Sequence, residues 1–180
     1  MLRKILNKYF KKRLFGFYQK QRRSPKIHTF SNSGSAGILW NPADEESGEV
    51  YEILKKMLKD RGIRTTGIGF IHSKKEMDTL AKVSHSNFQN SRNVGWSGRP
   101  KTGDGLYFMR KQFEILIDLS IQKVLPIQYL LVHTNAAFKI GWEASEYNYY
   151  DLNIDVKKNA KCRYLMEQIV YYLENINVKQ

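Results

Sequence analysis

Short apolar runs alternate along this chain with longer amphipathic ones, and that alternation constrains the fold more than any other feature. "AGILW" (36–40), "IRTTGIGFI" (63–71), "FEILIDL" (113–119) and "AAFKIGW" (136–142) are short, apolar and bounded by turn residues. Such runs read as strands buried on both faces of a sheet. A last strand over 147–156 alternates Leu152, Ile154 and Val156. Between the strands lie helical patterns. Pro42 and Asp44 open a helix to about Arg61, with Val50, Ile53, Leu54, Met57 and Leu58 inward. Gly62 caps it, glycine being the residue most tolerant of left-handed geometry. Ser73 opens a short helix over 73–82, with Glu76 at capping-box spacing. Another follows near 104–112, and a helix from Leu125 to His133 begins beside Pro126. Residues 160–176 close the chain with Leu165, Ile169, Tyr172, Leu173 and Ile176 inward. Residues 83–102 show no defined pattern; "NVGWSGRPKTGDG" (93–105) carries glycines and turn signals, and "RPKTGDG" within it reads as a loop before a helix. The expectation is an α/β fold with a single open, mainly parallel sheet and helices on both faces, Rossmann-like or flavodoxin-like. Right-handed crossovers put every strand's C-terminal end on one edge, where ligands of such sheets sit.

Charge adds a second constraint. The 180 residues, 42% hydrophobic and 13% aromatic, fill one core, and the formal charge is +13. Ten of the thirty basic residues fall within 1–26: Arg3, Lys4, Lys8, Lys11, Lys12, Arg13, Lys20, Arg22, Arg23 and Lys26. No acid accompanies them, and the rest of the chain holds twenty basic residues against seventeen acidic ones. Residues 2–18 have helical periodicity, with Leu2, Ile5, Leu6 and Tyr9 on one face, roughly continued by Phe10, Leu14, Phe17 and Tyr18. "QKQRRSPK" reads as a solvated connector and "SNSGS" (31–35) as a hinge. The division expected is a basic helical arm and connector over 1–30 and an α/β domain over 31–180. Such asymmetry points to a polyanion: RNA or the ribosome, or alternatively an anionic membrane surface bound by the same amphipathic helix. No run approaches the roughly 20 apolar residues that cross a membrane. The N-terminus lacks the apolar stretch of a signal peptide. With Cys162 as the one cysteine, no disulfide forms within the chain, which suits a reducing cytoplasm.

Motifs for chemistry are sparse. The turn after the first strand, "WNPADEESG", has no glycine triad and carries three acids that would repel phosphate. "RPKTGDG" (99–105) lacks P-loop spacing. His28, His72, His85 and His133 show no metal-ligand spacing with one another or with Cys162. No cofactor, metal or catalytic residue is expected, and the chain leans toward a non-catalytic role. The candidate ligand edge is Asn41, His72, Asp118 and Ser120, at or beyond expected strand ends. Asp118 either orients a small ligand there or accepts backbone N–H groups of the next loop. Trp40, Trp96 and Trp142, with Tyr147, Tyr149 and Tyr150, form either an aromatic platform or packing.

The pattern "FEILIDLS…LPIQYLLVHTNAAFKIGW…YDLNIDV" resembles a family of small, basic α/β proteins of unknown function from Bacteroidota, over roughly 36–175 plus the basic arm. The resemblance implies a fold and no activity. Locally, "FEILIDLS", a helix and "NAAFKIGW" are similar to the N-terminal half of heptosyltransferase-like glycosyltransferases. That similarity implies a Rossmann-like layer and leaves the chemistry open, since those enzymes need two such domains.

Overall fold

The computed structural model describes residues 2–71, 87–90, 92–101 and 103–176. Its centre is β1 (Ser35–Trp40), buried from Ala36 onward because a middle strand of a covered parallel sheet has no wet face. On one side β1 pairs with β2 (Arg64–Ile71), which pairs with the edge strand β3 (Asn87–Asn90). On the other it pairs with β4 (Gln112–Asp118), then β5 (Asn135–Gly141), then the two-residue β6 (Leu152–Asn153). All six strands are parallel, in the order β3-β2-β1-β4-β5-β6. This is the doubly wound arrangement, in which strand order reverses between β1 and β4.

Two cores follow from the alternation of side chains across the sheet. On one face, Ile38, Trp40, Ile115, Ile117 and Ile140 pack under α2 (Ser47–Asp60) and the closing helix α5 (Cys162–Asn175). On the other, Leu39, Ile68 and Leu116 pack under α3 (Asp104–Arg110) and α4 (Leu125–His133). The helix α1 (Leu2–Lys20) joins the second core, with Leu14 only 6% exposed and Phe10, Phe15 and Tyr18 packed against it.

Several boundaries differ from the sequence reading. Helix α2 starts at Ser47 rather than Pro42, because Asn41 and Asp44 fold the intervening turn back on the chain: Ala43 N–H donates to Asn41 Oδ1 (3.1 Å). Tyr51 is buried on it, while Ile53 and Met57 are half-buried, and on α5 Tyr172 is exposed. The last strand shrinks to Leu152–Asn153 because Tyr149 and Tyr150 turn into the core and Asp151 binds Arg23 and the Lys139 N–H. The polar segment Asn87–Asn90, to which the sequence assigns no element, is a strand by virtue of pairing with Ile68–Ile71. The helix expected over 73–82 lies outside the described residues. Gly62 does adopt the expected left-handed geometry, at φ 76°.

The connector is mostly exposed, as expected, and is tied to the body at a few points. Arg23 reaches Asp151 at 2.8 Å and the Ala136 carbonyl at 3.0 Å, and Lys26 N–H donates to Ala137 O. Phe30 then enters the core on the α5 side. At the hinge, Glu114 Oε2 accepts from the N–H groups of Gly34 and Ser35. The connector thus crosses the N-terminal ends of the strands, from one face of the sheet to the other.

Candidate nucleic-acid interface

The sheet edge at the β1/β4 reversal is where a doubly wound fold exposes its crevice. Here the chain's own side chains occupy it. Asp118, 0% exposed, ends β4; its Oδ1 accepts from Ser120 N–H (2.9 Å) and from the Ser120 hydroxyl. Its Oδ2 accepts from Tyr150 OH (2.6 Å) and Lys123 Nζ (3.1 Å). Lys123 also donates to Ser120 O (2.7 Å) and Tyr150 OH (2.9 Å). Burial and the Asp118 charge push the Tyr150 phenol well above its ordinary range, so it stays a donor. Across the gap, Asp44 accepts from Ile121 and Gln122 N–H groups at 2.7 and 3.0 Å, and Asn41 donates to Gln122 O at 3.0 Å. A carboxylate therefore holds the pair of backbone donors that faces the reversal point.

Of the four candidate edge residues, Asn41, Asp118 and Ser120 are brought together and buried, and His72 lies outside the described residues. Their hydrogen bonds run to the chain itself, so Asp118 organises its loop. Asp44, Lys123 and Tyr150 complete the arrangement: sequence reasoning named Asp44 as a helix opener and Tyr150 as an aromatic, neither as a partner of this edge, and did not single out Lys123. The spacing from Asp118 to Lys123 is a faint local signal; Tyr150 is distant in sequence, so nothing local marks its pairing with Asp118. Cys162 packs behind this network with its thiol on Leu119 O (3.5 Å), and burial, reinforced by Asp44 and Asp118, pushes it up to about 12. It is an inert thiol at neutral pH.

The basic segment is open by contrast. Lys8, Lys12, Arg13, Lys20, Arg22 and Lys26 are exposed, and none forms an ion pair or side-chain hydrogen bond with another described residue. Helical geometry sets Lys8, Lys12, Arg13 and Lys20 on the arc opposite Leu14 and Tyr18. Lys11 is half-buried, Arg23 is committed to Asp151, and the side chains of Arg3 and Lys4 lie outside the described part.

Beside this arc runs a groove of about 480 Å³ between α1, α4 and the segment 93–101, lined by Arg13, Phe17, Trp96, Arg99, Tyr129 and His133. His133 sits between two rings, 4.5 Å from Phe17 and 3.9 Å from Tyr129. Burial lowers its pKa, so the imidazole is neutral at pH 7. The other tryptophans are packing: Trp40 stacks on Tyr51 at 4.9 Å and Trp142 is buried, as are Tyr149 and Tyr150. Trp96 is 84% exposed.

The family of unknown function DUF6913 matches residues 3–176. The chain belongs to that family. The DUF6913 match takes in α1 as well as the α/β body, in keeping with a helix that packs into the second core. No curated protein matches the chain. Among the described residues no helix is long and apolar enough to cross a membrane, and no cluster of His, Cys, Asp or Glu could hold a metal ion.

Proposed function

We propose that this protein is a non-catalytic polyanion-binding protein, associated with RNA or the ribosome through the basic face of α1 and its connector. The observation that carries the reading is the row of exposed cations on one N-terminal segment, without described acidic partners, on a body whose own charge nearly cancels. Cations free of internal pairs can displace the counterions of a phosphate backbone, which gives affinity without sequence information. The reading places the chain in the cytoplasm, where Cys162 would stay reduced.

Membrane-surface binding by the same helix would need its apolar face, and Phe10, Leu14, Phe15 and Tyr18 pack that face on the domain. Small-ligand chemistry at the sheet edge, the reading that the similarity to glycosyltransferases suggests, would need Asp118 and Asn41 to give up their internal partners.

The test is sedimentation of the full chain with ribosomes, with anionic vesicles, and alone, at low and high salt. Deleting α1 would open the second core, so the comparison is the quadruple variant Lys8→Gln, Lys12→Gln, Lys20→Gln, Arg22→Gln. Ribosome association at low salt, lost at high salt and in the variant, supports the proposal. Sedimentation with vesicles alone supports the membrane reading instead. A chain that stays in the supernatant throughout removes the charge argument and returns attention to the edge around Asp118.

A further inference from the structure

Segment 93–101 is a small closed hairpin that holds one tryptophan in solvent. Val94 and Pro100 form an antiparallel bridge, Gly95 N–H donates to Arg99 O (2.8 Å), and Lys101 N–H donates to Asn93 O (2.9 Å). At its tip Gly98 has φ 82°, and its backbone lies so close to α4 that a Cβ there would come 2.6 Å from the Leu125 carbonyl. Only glycine meets both conditions. The hairpin is therefore seated on the start of α4, and Trp96 is presented outward from a fixed base rather than from a slack loop.

A single exposed indole is ordinary on a protein surface, but Trp96 stands at the rim of a groove that combines aromatic and cationic side chains. Its neighbours define the partner's chemistry. Arg99 is on the same hairpin and Arg13 is across the groove on α1; both are exposed, and neither pairs with another described residue. Phe17, His133 and Tyr129 give the groove a stacked aromatic wall. No acidic side chain is among its described lining residues. A purely apolar partner would leave two guanidiniums unmatched, and an acidic peptide would leave the flat aromatic faces without a planar counterpart. A nucleotide has both a planar base and a phosphate, and stacking on aromatic rings beside arginines is how unpaired bases are held without sequence preference.

We propose that this groove is a base-stacking subsite for single-stranded RNA, with an unpaired base against Trp96 and the flanking phosphates at Arg13 and Arg99. The proposal rests on the polyanion reading and sharpens it from charge to strandedness, since a paired base offers no free face to Trp96.

The experiment is a titration of the full chain with end-labelled single-stranded oligoadenylate of about 12 nucleotides, within the range such sites span, with label anisotropy reporting binding and tryptophan emission reporting stacking. A duplex of equal length and a strand of the same length without bases serve as comparisons. Trp40 and Trp142 are buried, so quenching at the surface reports Trp96. The single strand is expected to quench the emission, and the duplex and the base-free strand to bind through charge without quenching it. Trp96→Ala, which opens no core, should weaken the single strand roughly tenfold. It should leave the duplex unchanged, and Trp96→Phe should recover most of the loss. Salt-dependent binding of all three ligands with no quenching and no effect of Trp96→Ala overturns the subsite and leaves the polyanion reading standing. Equal loss of single strand and duplex in Trp96→Ala also overturns it. No binding of any strand, or quenching by anionic vesicles alone, overturns the subsite together with the polyanion reading.

Discussion

At the residue scale the question is what buried charge does in a chain that is otherwise so open about its cations. Asp118 accepts four hydrogen bonds in a fully buried position, one of them from a lysine whose side chain is only 8% exposed. Removing the carboxylate strands that ammonium. Asp118→Ala should cost about 3–5 kcal/mol by urea unfolding, the range for breaking a buried pair from one side. Lys123→Met should cost less, because Ser120 and Tyr150 still serve the carboxylate; equal costs would mean that the pair, not the network, holds the loop. Lys139 poses the opposite problem. It is fully buried on β5 and donates to the Leu131 and Val132 carbonyls at the end of α4. Burial, then the nearby Arg23, pulls its pKa down from 10.5 to about 7, against the opposing pull of Asp151. Between those values the unfolded chain holds the extra proton, so stability rises with pH from about 7, by up to about 1.4 kcal/mol per unit. Above pH 9 the buried thiol of Cys162 works the other way, since its folded value is raised. Lys139→Met should flatten the rise between pH 7 and 9; a slope that persists in the variant would place its source elsewhere. Asp118 was visible in the sequence as a strand-end acid, and both of its readings were stated. Lys139 was invisible, because nothing local marks a lysine that alternation has turned inward.

At the element scale, legibility followed the range of the interactions that make each element. Helix α4 was readable at both ends, from Pro126 at its start and His133 at its close, because its signals lie within the helix. The strands β1, β2, β4 and β5 were readable to within a residue or so for the same reason. Strand β3 and the hairpin over 93–101 were not, since polar sequences such as "NFQN" become strands only through backbone pairing with a distant partner. The docking of α1 was also hidden: an apolar stripe beside a basic one reads the same whether it faces lipid or a neighbouring helix. Helix α1 is nevertheless a working part of the second core. Leu14→Ala should cost about 2–4 kcal/mol, the range for a truncated core leucine. Lys12→Gln on the opposite face should stay within about 0.5 kcal/mol, as surface substitutions do. Paired urea melts measure both. A Leu14→Ala midpoint equal to that of the parent chain would show that α1 is not held by the core.

At the scale of the whole molecule, the sheet edge and the α4 face differ in what they leave free. The edge where such folds receive ligands is closed by Asp44, Asn41 and Asp118. The uncommitted chemistry lies instead along α1 and the groove beside it, both mounted on the α4 side of the sheet. Because α1 is docked, its cations keep fixed spacings, and the affinity they confer should have a definite salt dependence. If Lys8, Lys12, Arg13, Lys20, Arg22, Lys26 and Arg99 each neutralise one phosphate, the logarithm of the affinity for single-stranded RNA should fall against the logarithm of salt with a slope of about −5. Neutralising Lys8, Lys12, Lys20 and Arg22 together should reduce that slope to about −2, as expected for the three contacts left. Trp96→Ala, by contrast, should lower the affinity at every salt concentration and leave the slope alone, because stacking releases no counterions. Titrations at four or five salt concentrations separate the two effects. A slope unchanged by the quadruple variant would mean that the phosphates lie elsewhere, whatever the net charge of the chain. A slope that fell with Trp96→Ala would mean that the groove works by charge rather than by its rings.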